Sequence, residues 1–291
     1  MIKRAAALVP AFQDHLNKFE QQVVLGSYSE STLFNYARSV AGLVLYYGKS
    51  PLELDDEDIN SYIHGIRLQD TRSQTYFKHL VYGLRFFFRM YDREACALKL
   101  PSIKEPKRLP VVLSREELKR LFIAPSRQKQ RVMFCLIYAA GLRISELSNL
   151  RISDIDFDRK QIRIGQSKGN KDRYVILSEY ISKGIKKHIQ GAKPRIWLFN
   201  GRKKGTPISH SAIQQSFGLA VKKAGILKDV SVHSLRHSFA THMLEDGVDI
   251  VTIKEQLGHY DLRATMQYLH VAKIPRSDLR SPLNTLYEDA L

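Results

Sequence analysis

Four residues near the end of the chain have side chains suited to chemistry at a phosphate: His233, Arg236, His259 and Tyr268. Arginine offers a planar fork of hydrogen-bond donors that matches phosphate oxygens. Histidine moves protons near neutral pH, and a tyrosine oxygen can act as a nucleophile. All four lie between Val232 and Val271, which predicts a phosphate-handling site built largely from this stretch.

The first part of this stretch, from His233 to Leu244, is predicted to be a helix. Its apolar residues recur at helical spacing and form one broad arc, to which Arg236 and His233 also project. The members of this arc are Leu235, Phe239, Ala240, Met243 and Leu244. A guanidinium facing a core is costly unless an anion meets it. That anion is either an internal carboxylate or a bound phosphate.

Three earlier residues join the candidates: Arg143, Glu146 and Lys168. Arg143 and Lys168 each have an ordinary structural explanation. Arg143 follows a buried helix ended by Gly141 and could cap its carbonyls. Lys168 lies in a polar turn, where lysines are usually solvated. The histidines and Tyr268 also belong to common residue types, so no single residue identifies a function.

Two groups of elements are predicted to surround these residues. The N-terminal group is a four-helix unit over about 1–98, and its many aromatic residues are expected to form its core. Its helices are expected at 8–25, from Ser29 or Ser31 to Gly48, at 55–66 and at 71–91. A basic linker with three prolines, 99–111, follows.

The second domain is predicted to cover 112–291. Ser114 and Glu117 match a capping box at the start of a helix. An almost wholly apolar run at 131–140 indicates a buried helix. Three short strands with period-two alternation follow, at 154–158, 161–166 and 173–177, and helices resume at 179–190 and 209–224. The fold class is therefore mainly α with a small antiparallel β-sheet (α+β).

Charge is the unusual feature of the composition. There are 46 Lys and Arg residues against 29 Asp and Glu, a formal net charge of +17. This excess indicates a polyanionic partner, first nucleic acid and second an anionic membrane. The sequence has no apolar run of about 18 residues, which disfavours a membrane partner, and no signal peptide is expected. With only Cys96 and Cys135, neither a disulfide framework nor a zinc site is expected, which favours a cytoplasmic location.

Five motifs in chain order resemble the tyrosine recombinase family, the class of phage integrases, Cre and Xer proteins. GLRISEL matches the motif of the first arginine, and SKGNKDR lies where the family has its hairpin lysine. HSLRH matches the His-x-x-Arg pair, LGH the second histidine, and T-x-x-Y-x-H the nucleophile. The matching residues are Arg143, Glu146, Lys168, His233, Arg236, His259, Thr265, Tyr268 and His270. The match is Xer-like and covers about 112–275.

The resemblance implies a site-specific DNA recombinase. Tyr268 would attack a phosphodiester to give a 3′-phosphotyrosyl intermediate, and strand exchange would pass through a Holliday junction. Arg143 and Arg236 would hold the phosphate, and cationic neighbours are expected to make the phenolate more accessible. Lys168 would be the general acid.

The remaining roles also come from the resemblance. His233 would handle the tyrosine proton, His259 would donate to a phosphate oxygen, and Glu146 would orient either Arg143 or His233. No cofactor or metal is required.

The resemblance also implies an assembly. The N-terminal unit would be a core-binding, SAM-like domain that forms a clamp around duplex DNA with the catalytic domain. The partner is double-stranded DNA with specific recombination sites. The protein is expected to be a monomer or weak oligomer when free, and a homotetramer on synapsed DNA. The tail after Tyr268 would dock on a neighbouring protomer or fold back on its own domain.

Two other functions stay open at this stage. A type IB topoisomerase would share the cleavage chemistry but would relax supercoils without strand exchange. A non-catalytic DNA-binding protein could use the same fold, although the complete set of catalytic residue types argues against it.

Overall fold

A computed structural model describes residues 1–26, 28, 30–68, 74–93, 96, 100, 109–167, 171–203 and 205–273. The chain forms two compact units, Met1–Pro106 and Lys107–Leu291. It is mostly helical with one three-stranded antiparallel sheet, which confirms the predicted fold class. Most of the predicted linker, Lys168 and the tail from 274 onward lie outside the described residues. Within the described part, no helix is long and apolar enough to cross a membrane.

The first unit contains five helices among its described residues. They are α1 (Ile2–Leu8), α2 (Phe12–Leu25), α3 (Glu30–Tyr47), α4 (Asp56–Leu68) and α5 (Gln74–Met90). The predicted helix over 8–25 was wrong at its start, because Pro10 lies in a turn between α1 and α2, and α1 itself was not predicted. The aromatic residues pack inward as predicted. The most deeply buried are Phe12, Phe19, Phe87 and Phe88.

The second unit begins with the predicted capping box. The Ser114 hydroxyl accepts from the Glu117 backbone N–H, and the Glu117 carboxylate accepts from the Ser114 backbone N–H at 2.7 Å. The helices of this unit are α6 (Arg115–Ile123), α7 (Gln128–Ala140), α8 (Ile144–Ser148), α9 (Glu179–Ala192), α10 (His210–Lys223), α11 (Val232–Glu245), α12 (Ile250–Leu257) and α13 (Arg263–Met266). A 3₁₀ turn, Gln267–His270, follows α13.

The sheet lies between α8 and α9 in the chain. Its strands are β1 (Ile155–Asp156), β2 (Gln161–Ser167) and β3 (Lys171–Ile176), in the order β1-β2-β3. Ile162 pairs with Val175, and Ile164 pairs with Arg173. Both isoleucines and Val175 are buried in the main core of the unit. Arg173 is therefore brought to the inner face of the sheet by strand alternation.

A tight turn after α7 sets the position of α11. Gly141 ends α7 in the left-handed conformation with φ 61°. A Cβ atom at this position would lie 2.6 Å from Cδ1 of Phe239, on α11. Phe239, Leu257 and Tyr268 share one small buried cluster. The absence of a side chain at residue 141 thus allows α11 to pack directly against the end of α7.

We expect Gly141→Ala to lower the free energy of unfolding by about 2–5 kcal/mol, because it combines left-handed strain with overlap against Phe239. Urea unfolding at neutral pH measures this change. Gly218→Ala is the matched control, since a Cβ atom at Gly218, in the exposed part of α10, meets nothing within 4 Å. The control should be neutral or stabilise by about 0.5–1 kcal/mol. Equal effects of the two changes would contradict the packing argument.

Candidate active site

Arg236 lies on α11 and is only 4% exposed. One guanidinium nitrogen donates to the carbonyl of Gly141 and another to the carbonyl of Leu257, both at 2.6 Å. Burial, followed by the charge of Arg143, lowers the pKa of Arg236 to about 9, so it stays protonated at neutral pH. The prediction that Arg236 faces the core is confirmed. The same prediction for His233 was wrong, because His233 is exposed.

A buried carboxylate, Glu146 on α8, lies at the centre of the charged groups. It accepts hydrogen bonds from Arg143 at 2.7 Å and from two nitrogens of Arg173, each at 2.8 Å. It also lies 3.8 Å from Arg236. Burial alone would raise the pKa of Glu146, but hydrogen bonds and charge from Arg173, followed by hydrogen bonds from Arg143, lower it to about 2. Glu146 is therefore an anion throughout the physiological range.

Arg143 precedes α8 and does not cap the carbonyls of α7. Its side chain binds Glu146, and a second nitrogen donates to the carbonyl of Gly258 at 3.1 Å. Gly258 ends α12 in the left-handed conformation, and a Cβ atom there would lie 2.9 Å from the Arg173 side chain. This glycine, from the motif LGH, therefore lets two arginines approach one backbone segment.

The balance of charge in this cluster favours an additional anion. Three guanidinium groups, from Arg143, Arg173 and Arg236, share the single carboxylate of Glu146. The carbonyls of Gly141, Leu257 and Gly258 are at or just after helix C-termini, where partial negative charge offsets some of the excess. A positive excess remains. A phosphodiester, with one negative charge and two non-bridging oxygens, suits such a group of donors.

Tyr268 lies in the 3₁₀ turn after α13 and is 1% exposed. Its hydroxyl lies 3.1 Å from Nδ1 of His237. Burial raises the pKa of Tyr268, while the charges of Arg236 and Arg143 act against that rise. The arginines are thus within electrostatic reach of the phenol, as the sequence predicted. The prediction that nearby cations make the phenol easier to deprotonate was wrong for this conformation. The loss of water around Tyr268 raises its pKa more than the charges of the two arginines lower it.

The two predicted histidines lie beside the same cluster. Nδ1 of His259 is 2.9 Å from the hydroxyl of Thr265, which is fully buried. Burial, with the charges of Arg236 and Arg143, lowers the pKa of His259 to about 4. The pKa of His233 is also lowered, by partial desolvation and by Arg236 and Arg143. Both rings are therefore neutral at physiological pH, and each can offer one N–H to a phosphate oxygen.

Sequence reasoning did not select two residues of this cluster, Arg173 and His237. Arg173 ends the motif SKGNKDR, and its alternation with Val175 along β3 places its side chain on the inner face of the sheet. His237 is the last residue of the motif HSLRH and lies one helical turn after His233. Lys168 is outside the described residues. His270 is exposed.

We expect Glu146→Gln to destabilise the protein by about 3–5 kcal/mol at pH 7, because it leaves buried guanidinium groups without their anion. The low pKa of Glu146 stabilises the folded chain fully above about pH 4.5, and this contribution is lost as pH falls toward about 2. The difference between variant and wild type should therefore shrink across that window. Urea unfolding at several pH values tests this.

Glu179→Gln provides the control for that experiment. Glu179 is exposed and pairs with Lys160 at 2.7 Å on the surface. Its replacement should leave the unfolding midpoint close to that of the wild type at neutral pH. A Glu146→Gln variant that also unfolds like the wild type would show that the buried carboxylate does not hold the arginines together.

Known families and proteins match both parts of the chain. The phage integrase family matches residues 111–274, and the phage integrase N-terminal SAM-like domain matches residues 15–95. An integrase/recombinase of Sinorhizobium fredii is 34% identical over 271 residues, which cover 92% of this chain and 88% of the relative. A tyrosine recombinase of Thermosipho africanus is 34% identical over 264 residues, covering 86% of this chain and 92% of the relative.

Solved structures agree with this assignment. The crystal structure of XerA recombinase shares 28% identity, with a TM-score of 0.52 over 96% of this chain and 98% of that one. A lambda integrase dimer bound to a core site shares 18% identity, with a TM-score of 0.69 over 87% of this chain and 96% of that one, which shows likeness of fold. The chain belongs to the phage integrase family and is a tyrosine recombinase, an enzyme of site-specific DNA recombination.

Proposed function

We propose that Tyr268 is the nucleophile with which this recombinase cleaves DNA. Its phenol oxygen would attack the scissile phosphorus, form a 3′-phosphotyrosyl bond and release a 5′-hydroxyl. A second strand would then attack the phosphotyrosyl bond, and the exchange would pass through a Holliday junction. The covalent bond conserves the energy of the broken linkage, so the reaction needs no separate energy source.

The single observation that supports this role most strongly is the charge of the site. Tyr268 is within electrostatic reach of Arg143 and Arg236, which belong to a cluster with more guanidinium groups than carboxylates. In the transition state, negative charge grows on the non-bridging oxygens of the phosphate. Donors already held in place by Glu146 would stabilise that charge without reorganisation.

We assign the remaining roles by chemical type. His259 would donate to a phosphate oxygen. The resemblance gives the tyrosine proton to His233, but the Tyr268 hydroxyl contacts His237 instead, so we assign His233 to a phosphate oxygen as well. Lys168 would protonate the leaving 5′-oxygen as the general acid. Glu146 would support the reaction by holding Arg143 in place. Neither a metal nor a cofactor enters this scheme.

For the DNA partner, we propose a clamp. The domains are a helical core-binding domain over 1–98, a basic linker over 99–111 and a catalytic domain over 112–291. The net charge of +17 supports binding of duplex DNA. We further propose that free protein is a monomer or weak oligomer in the cytoplasm, and that four copies assemble on two synapsed recombination sites.

We expect Tyr268→Phe to abolish the covalent adduct and to bind DNA as the wild type does, because it removes one oxygen and leaves the basic surface unchanged. The assay uses a nicked suicide duplex, with the adduct detected on a denaturing gel. Tyr260→Phe is the matched control, since Tyr260 is 98% exposed and close in the chain. It should form adduct normally. If Tyr268→Phe still forms the adduct and Tyr260→Phe does not, Tyr260 is the nucleophile.

We expect deletion of 276–291 to leave cleavage-site binding by one protomer intact and to abolish synapsis of two sites. The reason is that the tail would dock on a neighbouring protomer, so its loss would remove a contact between subunits and none to DNA. Gel-shift titration measures binding, and recombination between paired sites on a plasmid measures synapsis. Normal recombination by the truncated chain would reject the exchange of the tail. Relaxation of a supercoiled plasmid without any site would favour a topoisomerase function instead.

A further inference from the structure

The nucleophile and one histidine form a direct contact that the roles assigned above leave unused. The Tyr268 hydroxyl lies 3.1 Å from Nδ1 of His237, and the two rings are 5.7 Å apart between centroids with a tilt of 49°. Among the described residues, His237 is the hydrogen-bond partner of this hydroxyl. His233, the residue that the sequence suggests for the tyrosine proton, has no such contact.

The position of His237 is fixed by the packing of α11. Its neighbours Arg236 and Ser238 are buried, and Phe239 and Ala240 lie in the same buried cluster as Tyr268. His237 follows Arg236 directly, so the group that contacts the nucleophile and a group of the anion-binding cluster share one rigid helix. Small changes in the site therefore move the two groups together.

The protonation state of His237 suits a proton acceptor. Burial, followed by the charges of His233 and Arg236, lowers the pKa of His237 to about 4. The ring is neutral at physiological pH. A neutral ring that accepts the phenol proton at Nδ1 carries its own proton at Nε2.

We propose that His237 is a catalytic residue that accepts the phenol proton when Tyr268 attacks the phosphodiester. The inference rests on Tyr268 as the nucleophile. The O–H bond of the phenol breaks as its proton passes to Nδ1 of His237, and the phenol oxygen forms a bond to phosphorus. The bond from phosphorus to the 5′-oxygen breaks, and that oxygen receives a proton from the general acid. His237 ends as an imidazolium and returns the proton when the phosphotyrosyl bond is resolved.

Bound DNA should strengthen His237 as an acceptor. The positive charge of Arg236 is one cause of its low basicity. A phosphodiester held by the arginine cluster opposes that charge, so the imidazolium form becomes less costly once substrate is in place. The proton acceptor would thus be weak in the free protein and stronger in the complex, which couples activation of the nucleophile to DNA binding.

A buried phenol needs a hydrogen-bond partner in any case, so His237 could serve only to hold Tyr268. His237→Asn separates the two roles, because an asparagine oxygen can take the place of Nδ1 and accept a hydrogen bond but cannot take up a proton. The measurement is the single-turnover rate of adduct formation on the suicide duplex with saturating protein, between pH 6 and 9.5. DNA binding and thermal unfolding of the variant confirm that it is folded.

We expect His237→Asn to be slower than the wild type by about 10²–10³ at pH 7, within the range for loss of a general base. The deficit should narrow by roughly tenfold per pH unit, because hydroxide replaces the missing base. A rate within about threefold of the wild type would show that His237 only holds the ring. A faster rate would show that it restrains the nucleophile, and an equal deficit at every pH would show a structural role. Each of these three results overturns the proposal.

His233→Asn is the matched comparison on the same face of α11. Its rate should fall without recovery at high pH, because we assign to His233 a contact with the phosphate. If the rate of the His233 variant recovers at high pH and the rate of the His237 variant does not, His233 is the residue that accepts the phenol proton. Failure of the inference is distinct from failure of the proposed function, since only adduct formation by Tyr268→Phe would remove Tyr268 from the reaction.

Discussion

The active site depends on one buried carboxylate that holds more positive charge than it neutralises. Glu146 fixes Arg143 and Arg173 by direct hydrogen bonds and lies within ion-pair distance of Arg236. Without this anion, the guanidinium groups would repel one another in a region with little water, where repulsion is poorly screened. With it, they are held close together, and the cluster keeps an excess of positive charge that suits a phosphodiester. In the proposed function, structural pairing and substrate binding are therefore parts of one arrangement.

Helix ends complete this arrangement. Arg236 joins the end of α7 to the end of α12, through the carbonyls of Gly141 and Leu257, and Arg143 binds the carbonyl of Gly258. These carbonyls have no partner within their own helices, so arginine side chains satisfy them. Gly141 and Gly258, both in the left-handed conformation, end those helices and leave room for α11 and Arg173. The conformation of two glycines thus determines where two charged side chains can lie.

The sequence predicted α11, the burial of Arg236 and the small sheet, because apolar periodicity carries that information locally. It could not predict that Arg173 binds Glu146, since that contact depends on how β3 packs against α8, 27 residues away. The sequence also could not predict whether His233 or His237 contacts Tyr268. Residues four apart differ by only about 40° around a helix axis, so a sequence pattern cannot decide which ring faces Tyr268 and which faces solvent.

Burial acts in opposite directions on the two groups that exchange the proton in our proposal. It raises the pKa of the Tyr268 phenol and lowers the pKa of the His237 ring, so both are neutral and proton transfer is unfavourable in the free protein. In that proposal, Tyr268 is inactive as a nucleophile until DNA binding changes the pKa values of both groups. A phosphodiester at the arginine cluster would make His237 more basic, and formation of the bond to phosphorus would make the phenol more acidic. Because little water surrounds these two groups, proton transfer is unfavourable in the free protein. For the same reason, their pKa values would respond strongly to the charge of a bound substrate.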